Sequence, residues 1–564
     1  MKRLDMIIRN IVCFILIGFL GCSSPNEQEN VREVDICVYG GTAAGVIAAY
    51  SAKKMGKSVL LIEPGKYLGG MTTGGLGWTD FGNKEAVSGL ALDFYKRVGK
   101  AYGKPEQWAF EPSVATNTIQ QYLDEADLEV LFQKRISGAV TEDKNIIEIA
   151  LMDSADPTSH QEINIKAKVF LDCSYEGDLL PKAGVSYVVG REAADVYNES
   201  LNGVQLYPEE LPADIDSIKV DYFSRVPVNR HQFPDGVDPY VEEGNPESGL
   251  LWGISDDKLD PIGSGDKKVQ AYNFRLCLTQ DTTNQVPISK PENYDPEKYT
   301  LLARLIEKQK STDINDYLLA RWSMPKGDMD VNNKGGFSTD MIGMNHEYPE
   351  ADYETRANIW KAHEDYTKGL LYFLGHDERV PEELRNKMLS LGYCEDEFVD
   401  NNHFPTQLYV REARRMIGEY VMTQHNVVGD KVVEDQVGMA AYGMDSHHIQ
   451  RIVVDDGKGG AQVKNEGDIQ VHGFPPYPVA YRSITPRREE CENLLVPVCL
   501  SASHIAYGSI RMEPVFMVLA QSAAVAASLA IDQGVPVQKV EIADIQQKLK
   551  EDPLLENTAK MAQN

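Results

Sequence analysis

The sequence predicts an α/β protein in which a Rossmann-like domain carries an inserted α+β domain. Residues 34–63 give the first indication, because they read strand, glycine turn, helix, strand and acid. This pattern is lost over the middle of the chain and returns near its carboxyl end. We therefore expect one Rossmann-like domain built from residues 34–190 and 477–545, with residues 191–476 inserted between its two parts.

The first strand and helix have the composition that this fold requires. Val34–Tyr39 is rich in β-branched residues, as buried parallel strands are. Ala43–Met55 is helical in composition, and Gly56 is suited to the C′ position after it. Ser58–Ile62 is predicted as the second strand of the unit.

The turn between this strand and helix has the pattern of a dinucleotide-binding site. A first glycine permits the sharp turn, and the helix N-terminus offers N–H groups to a pyrophosphate. Glu63 follows 23 positions after Gly40, where an acid accepts a hydrogen bond from a ribose hydroxyl. The predicted turn residues are Gly40, Gly41, Thr42, Ala43, Ala44 and Gly45.

One position of the turn departs from the usual G-x-G-x-x-G pattern. Its middle glycine, which normally lets the backbone approach the phosphates, is Thr42 here. Two alternatives follow from this change. Thr42 either holds the diphosphate slightly further away or contributes its own hydroxyl to binding.

A second glycine loop distinguishes between nucleotide cofactors. It follows Glu63 within a dozen residues and contains Gly69, Gly70, Met71 and Thr72. With this loop the sequence resembles the FAD-dependent oxidoreductases of the two-dinucleotide-binding-domain type. In that family a glycine pair after the ribose acid runs alongside the cofactor toward the flavin. The resemblance implies FAD as the cofactor, since an NAD site has no need of the second loop.

Two later segments extend this resemblance. Ile163–Asp172 is a predicted strand that ends in a turn similar to the D-A-T-G-like turn that closes over the nucleotide in the family. Residues 508–514, Gly-Ser-Ile-Arg-Met-Glu-Pro, precede a helix rich in Ala and Ser. The resemblance implies further cofactor contacts at Ile136, Asp172, Gly508, Ile510, Arg511 and Met512.

The middle of the chain resembles a narrower group. Residues 273–280, 328–343 and 404–422 look like the corresponding parts of bacterial FAD-dependent oxidoreductases often labelled "xanthan lyase". The resemblance covers residues from about 33 to 540. It implies that the inserted domain binds the substrate above the flavin.

Periodicity predicts several elements within these domains. Helix-spaced apolar residues indicate helices at 90–98 and 115–126. Residues 128–149 alternate like a strand pair with a turn at 142–145. In the inserted part, helices are expected at 297–308 and 351–373.

Two residues near the carboxyl end are candidates for catalysis. A helix that begins at Glu513 offers positive charge to a reduced flavin, Arg511 adds a full charge, and His504 is placed to act as acid or base. The alternative is structural: Arg511 pairs with Glu513 or another carboxylate, and His504 is a satisfied core histidine.

A second candidate group lies in the inserted domain. It contains His403 and Arg411, and the spacing of Arg411 to Arg414 and Arg415 predicts that they lie near one helical face. The alternative for these arginines is a solvated or ion-paired helix face.

Several other kinds of site are disfavoured. His447 and His448 are adjacent, so they point to opposite faces of a strand, and no H-x-x-x-H spacing supports a metal site. None of the eight cysteines forms a C-x-x-C pair, and no G-x-S-x-G is present. The formal net charge of −29 argues against nucleic acid as a partner.

The amino terminus reads as an export signal. Basic residues precede the apolar run Ile11–Leu20, which is short for a transmembrane helix and leads into a lipobox-like Phe-Leu-Gly-Cys ending at Cys22. We expect residues 1–22 to be a lipoprotein signal peptide, Cys22 to be lipidated and residues 23–33 to form a tether. This implies a protein of the bacterial cell envelope that reaches the membrane through its lipid anchor only.

These observations together predict an enzyme that uses FAD to oxidise or reduce a small polar substrate, such as a sugar or hydroxy acid. Its electron acceptor is not readable from the sequence. Two alternatives stay open. One is a polysaccharide lyase or redox-assisted eliminase acting on a glycan, and the other is a flavin-binding electron carrier without catalysis.

Overall fold

The computed structural model describes residues 31–156, 158–159, 162–207 and 231–551. The predicted signal peptide and Cys22 lie outside the described residues. The first part of the chain alternates strands and helices, with these bounds: β1 (Val31–Tyr39), α1 (Ala43–Lys54), β2 (Val59–Glu63), α2 (Met71–Gly74), α3 (Gly89–Ala101), α4 (Pro112–Ala126), β3 (Glu129–Phe132), β4 (Lys134–Glu142), β5 (Asn145–Asp153), β6 (Ile163–Asp172), α5 (Leu179–Lys182) and β7 (Tyr187–Val188).

The middle of the chain forms short strands around a few helices. Its elements are α6 (Ala194–Tyr197), β8 (Leu276–Thr279), β9 (Gln285–Pro287), α7 (Thr300–Gln309), β10 (Leu318–Trp322), β11 (Met329–Asn333), α8 (Tyr353–His376), α9 (Glu382–Leu389), β12 (Gly392–Cys394), β13 (Arg415–Met416), α10 (Gln424–Val427), β14 (Gln436–Ala440), β15 (Met444–Ser446), β16 (Gln450–Asp455), β17 (Ala461–Glu466) and β18 (Ile469–Val471). Five of the strands form an antiparallel sheet in the order β10-β11-β8-β12-β9.

The last described part of the chain returns to the first sheet. Its elements are β19 (Tyr477–Ala480), β20 (Leu494–Leu495), α11 (His504–Ile510), α12 (Glu513–Gln533) and α13 (Ile542–Glu551). β20 runs parallel to β6 and pairs with it, so residues from both ends of the chain share one seven-stranded sheet. Six of its strands follow the order β3-β2-β1-β6-β5-β4, and β20 is the seventh, beside β6. The strands β1, β2, β3 and β6 are parallel, while β4 and β5 form an antiparallel hairpin.

The order of the parallel strands creates a crevice at their carboxyl ends. The chain proceeds from β1 to β2 and β3 on one side, whereas β6 pairs with β1 on the other side. Tyr39 is therefore in register with both Ile62 and Asp172. In open α/β sheets, ligands bind outside the carboxyl ends of the strands at such a reversal. The ends of β1, β2 and β6 therefore form the edge of the sheet where a ligand is expected to bind.

Two apolar helices cover this part of the sheet. Ala43–Ala52 of α1 are all buried, and α1 packs against α12, which also contacts β1 and β6. Small Ala and Ser side chains let these helices approach closely. Among the described residues α12 alone has the length and composition to cross a membrane, but 94% of its apolar window is buried in the fold, as in the core helix of a globular protein.

The structure corrects two sequence-based predictions of local structure. The predicted strand pair at 128–149 is three strands, because Gln133, with a φ of +55°, separates β3 from β4. β3 then pairs with β2, while β4 and β5 form the hairpin. The predicted helix that carries Arg411 is also wrong, since residues 411–414 are neither helix nor strand and Arg415–Met416 forms β13, paired with β7.

Candidate functional site

The turn after β1 is built from positions that accept only glycine. Gly40 has a φ of +93°, and a Cβ there would lie 2.6 Å from the amide nitrogen of Ser174. A Cβ on Gly45 would lie 1.9 Å from the carbonyl oxygen of Gly40. These distances leave no room for a side chain, so the start of α1 packs directly on the turn and on the end of β6.

Thr42 is the N-cap of α1 and joins the turn to the segment after β6. Its Oγ1 accepts a hydrogen bond from the Gly45 amide at 3.2 Å and donates one to the Cys173 carbonyl oxygen at 2.9 Å. The hydroxyl is therefore used inside the protein. The amides of Ala43 and Ala44 lie in the first turn of α1, where a helix supplies no acceptor, and they are the donors available to a pyrophosphate.

Glu63 lies partly buried at the end of β2, and two backbone amides bind its carboxylate. Gly41 donates to Oε2 at 2.7 Å, and Gly65 donates to Oε1 at 2.5 Å. Loss of hydration raises the pKa of Glu63 to about 7, although both amide hydrogen bonds work against the rise, and the charge of Glu176 adds to it. A carboxyl group with two bonds made keeps acceptor capacity for a hydroxyl.

The second glycine loop is tied to α12 through a tyrosine and a glutamate. The Met71 amide donates to the Tyr175 hydroxyl at 2.9 Å, and that hydroxyl donates to Oε1 of Glu513 at 2.7 Å. Thr72 Oγ1 donates to Oε2 of Glu513 at 2.7 Å. Burial raises the pKa of Glu513 to about 7. Gly69 and Gly70 allow this contact through φ angles of +97° and +52°.

Two other predicted cofactor residues have structural partners at the same crevice. Asp172 closes the turn after β6, because its carboxylate accepts hydrogen bonds from the Ser174 amide at 3.0 Å and the Leu179 amide at 3.0 Å. Burial raises the pKa of Asp172 to about 6. The Ile136 carbonyl oxygen accepts a hydrogen bond from the Tyr353 hydroxyl at 2.9 Å, which brings α8 against β4.

A cavity of about 490 Å³ opens between these glycine loops and the inserted part of the chain. Its walls combine the turn after β1, the acid at the end of β2, the turn after β6 and the aromatic face of α8. Its lining includes Gly40, Thr42, Glu63, Tyr175, Tyr353 and Arg356. Lys66 and Arg356 also line the cavity, and Arg356 pairs there with Asp178.

Most of the chain, including the residues around this cavity, matches a known protein family. A family profile described as "FAD dependent oxidoreductase" matches residues 35–549. The chain belongs to the FAD-dependent oxidoreductase family. A search of curated proteins finds no match.

Solved structures match smaller parts of this oxidoreductase. THI4 of Thermovibrio ammonificans is 19% identical, with 36% of this chain and 80% of that chain covered and a TM-score of 0.23. The flavoprotein/dehydrogenase from Cytophaga hutchinsonii is 15% identical, with 27% and 42% covered and a TM-score of 0.21. The p-nitrophenol 4-monooxygenase PnpA from Pseudomonas putida is 12% identical, with 29% and 46% covered and a TM-score of 0.22. The chain spans less than half the length of the last two.

FAD is the cofactor of this oxidoreductase, and the residues around the cavity fit it. The glycines of the turn let the start of α1 pack closely on the ends of β1 and β6, and the amides of Ala43 and Ala44 there can bind a diphosphate. Glu63 is placed for a ribose hydroxyl. Glu513 and Tyr175 hold the second glycine loop beside the start of α12. The predictions of an α/β Rossmann-type fold, an FAD-dependent enzyme and an FAD cofactor are confirmed.

The predicted contacts near residue 510 lie around the start of α12. Gly508 is inside α11, and a Cβ there would lie 2.7 Å from the carbonyl oxygen of Asp445, so its close neighbour is β15. Ile510 is buried, and Met512 is the N-cap residue of α12. Arg511 connects the two helices and turns its guanidinium toward the inserted part of the chain. A role of these four residues in binding the cofactor stays a prediction.

A buried group of charged side chains surrounds His447. We call it the His447 cluster and define it as Asp340, Tyr409, Arg411, Asp445, His447 and Arg511. His447 Nδ1 lies 2.9 Å from Asp340 Oδ2, and its Nε2 lies 3.6 Å from Asp445 Oδ2. Arg411 Nη1 lies 2.8 Å from Asp340 Oδ1. Arg511 Nη1 donates to the Tyr409 hydroxyl at 3.0 Å, and its Nη2 lies 3.6 Å from Asp445 Oδ2.

The electrostatics of the His447 cluster favour a charged histidine. Burial and Arg411 lower the pKa of His447, but Asp445 and Asp340 outweigh them and hold it above its usual value. Burial raises the pKa of Asp340 and of Asp445, but the positive side chains around them hold both well below the usual range. The cluster therefore places His447, whose pKa is raised, next to two carboxylates and two guanidinium groups.

Arg411 has one edge that is not used by the protein. Among the described residues, its Nε and Nη2 are buried and have no hydrogen-bond partner. Nη1, in contrast, bonds to the Ala271 carbonyl oxygen and pairs with Asp340. Nε and Nη2 form the edge with which a guanidinium binds a carboxylate through two parallel hydrogen bonds.

A second set of charges links the inserted part to the cofactor loop. The Gly77 amide donates to Asp330 Oδ1 at 3.2 Å, and Asp330 Oδ2 accepts a hydrogen bond from Arg275 at 2.5 Å. A Cβ on Gly75 would lie 2.7 Å from the Arg275 carbonyl oxygen. Burial raises the pKa of the neighbouring Asp80. The glycine loop thus packs directly against the inserted five-stranded sheet.

The structure separates the residues that the sequence grouped as catalytic candidates. Both ring nitrogens of the buried His504 are engaged: Nδ1 lies 2.8 Å from Glu412 Oε2, and Nε2 lies 3.0 Å from Ser446 Oγ. His403 Nδ1 lies 3.3 Å from the Glu397 carbonyl oxygen. The structure thus gives the two histidines different partners, and among the described residues no hydrogen bond or ion pair joins either of them to Arg411.

The three arginines at 411–415 do not share one face. Arg414 pairs with Asp178 and Arg415 pairs with Glu192, while Arg411 points into the His447 cluster. Different acids from distant parts of the chain thus hold each arginine, and the segment follows these partners instead of forming a helix.

Sequence reasoning missed the central histidine of this cluster. In the sequence His447 stands out only through its adjacency to His448, and Asp340 lies in a glycine-containing segment, which is more often a turn than a site. No local signal joins these two residues. The two residues meet only because the fold brings the segment after β15 against the loop after β11.

Proposed function

We propose that this FAD-dependent oxidoreductase oxidises or reduces a small polar substrate of the sugar or hydroxy-acid class, with hydride transfer to or from the flavin. The pairing of His447 with Asp340, beside the two arginines of the His447 cluster, is the observation that carries this proposal. Bound FAD supplies the hydride acceptor or donor. The residues of this chain then have to bind the substrate and move its proton.

His447 is the residue proposed to move that proton. Asp340 at 2.9 Å fixes the orientation of the ring through Nδ1, which leaves Nε2 as the nitrogen toward Asp445 and the substrate. In carbonyl reduction the protonated ring donates to the oxygen that becomes a hydroxyl. In the opposite direction the neutral ring accepts the hydroxyl proton. The raised pKa of His447 favours the acid form before substrate binds.

Arg411 is proposed to select a substrate with a carboxylate. A buried guanidinium edge without a partner is costly, and a carboxylate satisfies both of its N–H groups at once. Arg511, which also lies near the Tyr409 ring, adds positive charge. A hydroxy acid or a sugar acid therefore suits the His447 cluster better than a neutral sugar does.

Anaerobic reduction of the bound flavin tests this function. The purified holoenzyme is mixed with matched pairs of substrates, such as a sugar and its sugar acid, and the flavin absorbance is followed. We expect the flavin to be bleached by the acid of a pair, and to be bleached more slowly or not at all by its neutral partner. Faster bleaching by the neutral sugars would contradict the role of Arg411. Release of an unsaturated product without net oxidation would support the eliminase alternative instead.

The location of the enzyme is a separate proposal. The basic start, the apolar run Ile11–Leu20 and Cys22 support export and lipid anchoring to the cell envelope. Replacing Cys22 by Ser should move the protein from the membrane fraction to the soluble fraction, whereas Cys13→Ser should not. Unchanged membrane association of Cys22→Ser would contradict the lipid anchor.

A further inference from the structure

Two buried cysteines face each other in the inserted sheet. Cys277 lies on the central strand β8 and Cys394 on its neighbour β12, and their sulfur atoms are 2.8 Å apart. The register pairs Tyr393 with Leu278 and Gly392 with Thr279, which places the two cysteines directly opposite each other. Cross-strand neighbours point to the same face of a sheet, and this brings the two thiols together.

We propose that Cys277 and Cys394 form a disulfide bond in the mature protein. Both side chains are buried, with 3% and 0% of their surface exposed, and they pack with Met324 and Phe398 in a small cluster of their own. Each thiol has the other as its nearest sulfur partner. The remaining described cysteines, Cys37, Cys173, Cys491 and Cys499, lie in other parts of the fold.

The bond forms by thiol–disulfide exchange with a protein oxidant of the cell envelope. One thiolate of the pair attacks the oxidant's disulfide, and the second then displaces the oxidant from the mixed disulfide. The enzyme loses two electrons and two protons, and the oxidant is released as a dithiol. Such bonds persist in oxidising compartments and are rare in the cytoplasm. The proposal therefore also bears on export, independently of the catalytic role of His447.

A metal site is the rival use of these thiols. Asp328 lies near both sulfurs, and its buried Oδ2 has no hydrogen-bond partner among the described residues. However, two thiolates on one zinc ion with Zn–S bonds of about 2.3 Å would stand roughly 3.8 Å apart in a tetrahedral site. The observed separation of 2.8 Å is shorter than this. The geometry therefore favours a bond between the sulfurs.

The proposed bond would join two strands that both lead to the cofactor loop. Arg275, two residues before Cys277, lies against Gly75, and the chain after Cys394 reaches Gly74 at Gln407. The bond also closes a long loop, since the cysteines are 117 positions apart. It would limit the separation of β8 and β12 and so stabilise the part of the inserted sheet that packs on the glycine loop.

Peptide mapping of the full chain, expressed in an exporting bacterial host, tests the proposal. Free thiols are alkylated in denaturant without reductant before digestion. We expect one linked peptide pair that contains Cys277 and Cys394 and is two hydrogens lighter than the sum of the reduced peptides, with the other described cysteines alkylated. Alkylation of both Cys277 and Cys394 in the exported protein would overturn the proposal. Stoichiometric zinc that is lost in Asp328→Asn would also overturn it.

Thermal unfolding gives a second test with matched variants. Reductant should lower the Tm of the wild type by several degrees, and Cys277→Ser/Cys394→Ser should unfold near the reduced wild type with no response to reductant. Cys491→Ser should keep the response, because that thiol contacts Asn493 in another cluster. A wild type whose Tm does not change after full reduction of the linked peptide would contradict the stabilising role.

Discussion

His447 Nδ1 and Asp340 Oδ2 lie 2.9 Å apart although 107 positions separate the two residues in the sequence. The contact joins the segment after β15 to the loop after β11, and Arg411 approaches the same aspartate from a third segment. Because all three side chains are buried, the charges act on each other with little screening by water. This contact is the basis for assigning the proton transfer to His447.

Replacing Asp340 by Asn should change the pH dependence of turnover. Asp340 helps to hold the pKa of His447 above its usual value, so removing the carboxylate charge lowers that pKa. The limb of the kcat profile that reports His447 should therefore move to lower pH. Steady-state rates of the holoenzyme across pH measure this shift. Asp435→Asn, which removes the partner of the half-exposed Arg482, is the control and should leave the limb in place.

Replacing Gly45 by Ala should weaken both folding and FAD binding. The new Cβ would lie 1.9 Å from the Gly40 carbonyl oxygen, and that contact is with backbone, which has little freedom to move. Overpacking of this kind costs about 1–3 kcal/mol of folding free energy. Flavin content after purification and denaturant unfolding measure the two effects. Gly138→Ala, where a Cβ meets nothing within 4 Å, should retain FAD.

Replacing Thr42 by Ala should destabilise the protein, whereas Ser should be tolerated. The hydroxyl caps α1 through the Gly45 amide and bonds to the Cys173 carbonyl oxygen, and Ser can make both bonds. Loss of an N-cap costs roughly 1 kcal/mol. Chemical denaturation of the three proteins without cofactor measures the difference. Equal stability of Thr42→Ala and the wild type would show that the cap contributes nothing.

Replacing Glu513 by Gln should alter stability in a pH-dependent way. Burial raises the pKa of Glu513 to about 7 in the folded protein, whereas an unfolded Glu titrates near about 4.3. The folded state therefore holds this proton more tightly, and the stabilisation is lost as pH rises from about 4.3 through the folded-state pKa. Without cofactor, Glu513→Gln should match the wild type in acid and exceed its Tm in mild base. Glu382→Gln, at an exposed position on α9, should show no such trend.

Local sequence patterns predicted the elements whose formation depends on neighbours in the chain. The unit β1–α1–β2, the helices α3 and α4, and β6 all lie within a few residues of their expected bounds. In each case one apolar face or one buried run is continuous in sequence, so periodicity carries the information. The turn glycines belong to the same class, because a close approach at Gly40 and Gly45 requires glycine at those positions themselves.

Two local predictions from periodicity are wrong, at residues 411–415 and at the break between β3 and β4. The arginines at 411, 414 and 415 have helical spacing, but they form ion pairs with Asp340, Asp178 and Glu192 in a segment that is not helical. β3 and β4 read as one strand because the left-handed residue between them, Gln133, is not one that usually marks a break.

The residues of the site also fall into those that local sequence predicts and those that only the fold brings together. Its glycine loops and Glu63 were predictable, since the backbone needs of a dinucleotide place them at fixed spacing. The His447 cluster was not, because its members come from separate segments that only the fold brings together. Tyr175, in the turn after β6, links the second glycine loop to Glu513, and this contact joins segments that are distant in the sequence.

Single-turnover reduction of the bound flavin in His447→Gln tests the central claim most directly. The variant keeps a polar side chain of similar length but cannot carry the proton, so it should retain FAD and reduce it about 100-fold or more slowly than the wild type with an oxidisable hydroxy acid. His403→Gln is the control, because His403 contacts the Glu397 carbonyl oxygen and, among the described residues, makes no hydrogen bond or ion pair with the His447 cluster, and it should react at the wild-type rate. Equal rates for His447→Gln and the wild type, with full flavin content, would contradict the assignment of His447 as the proton-transfer residue.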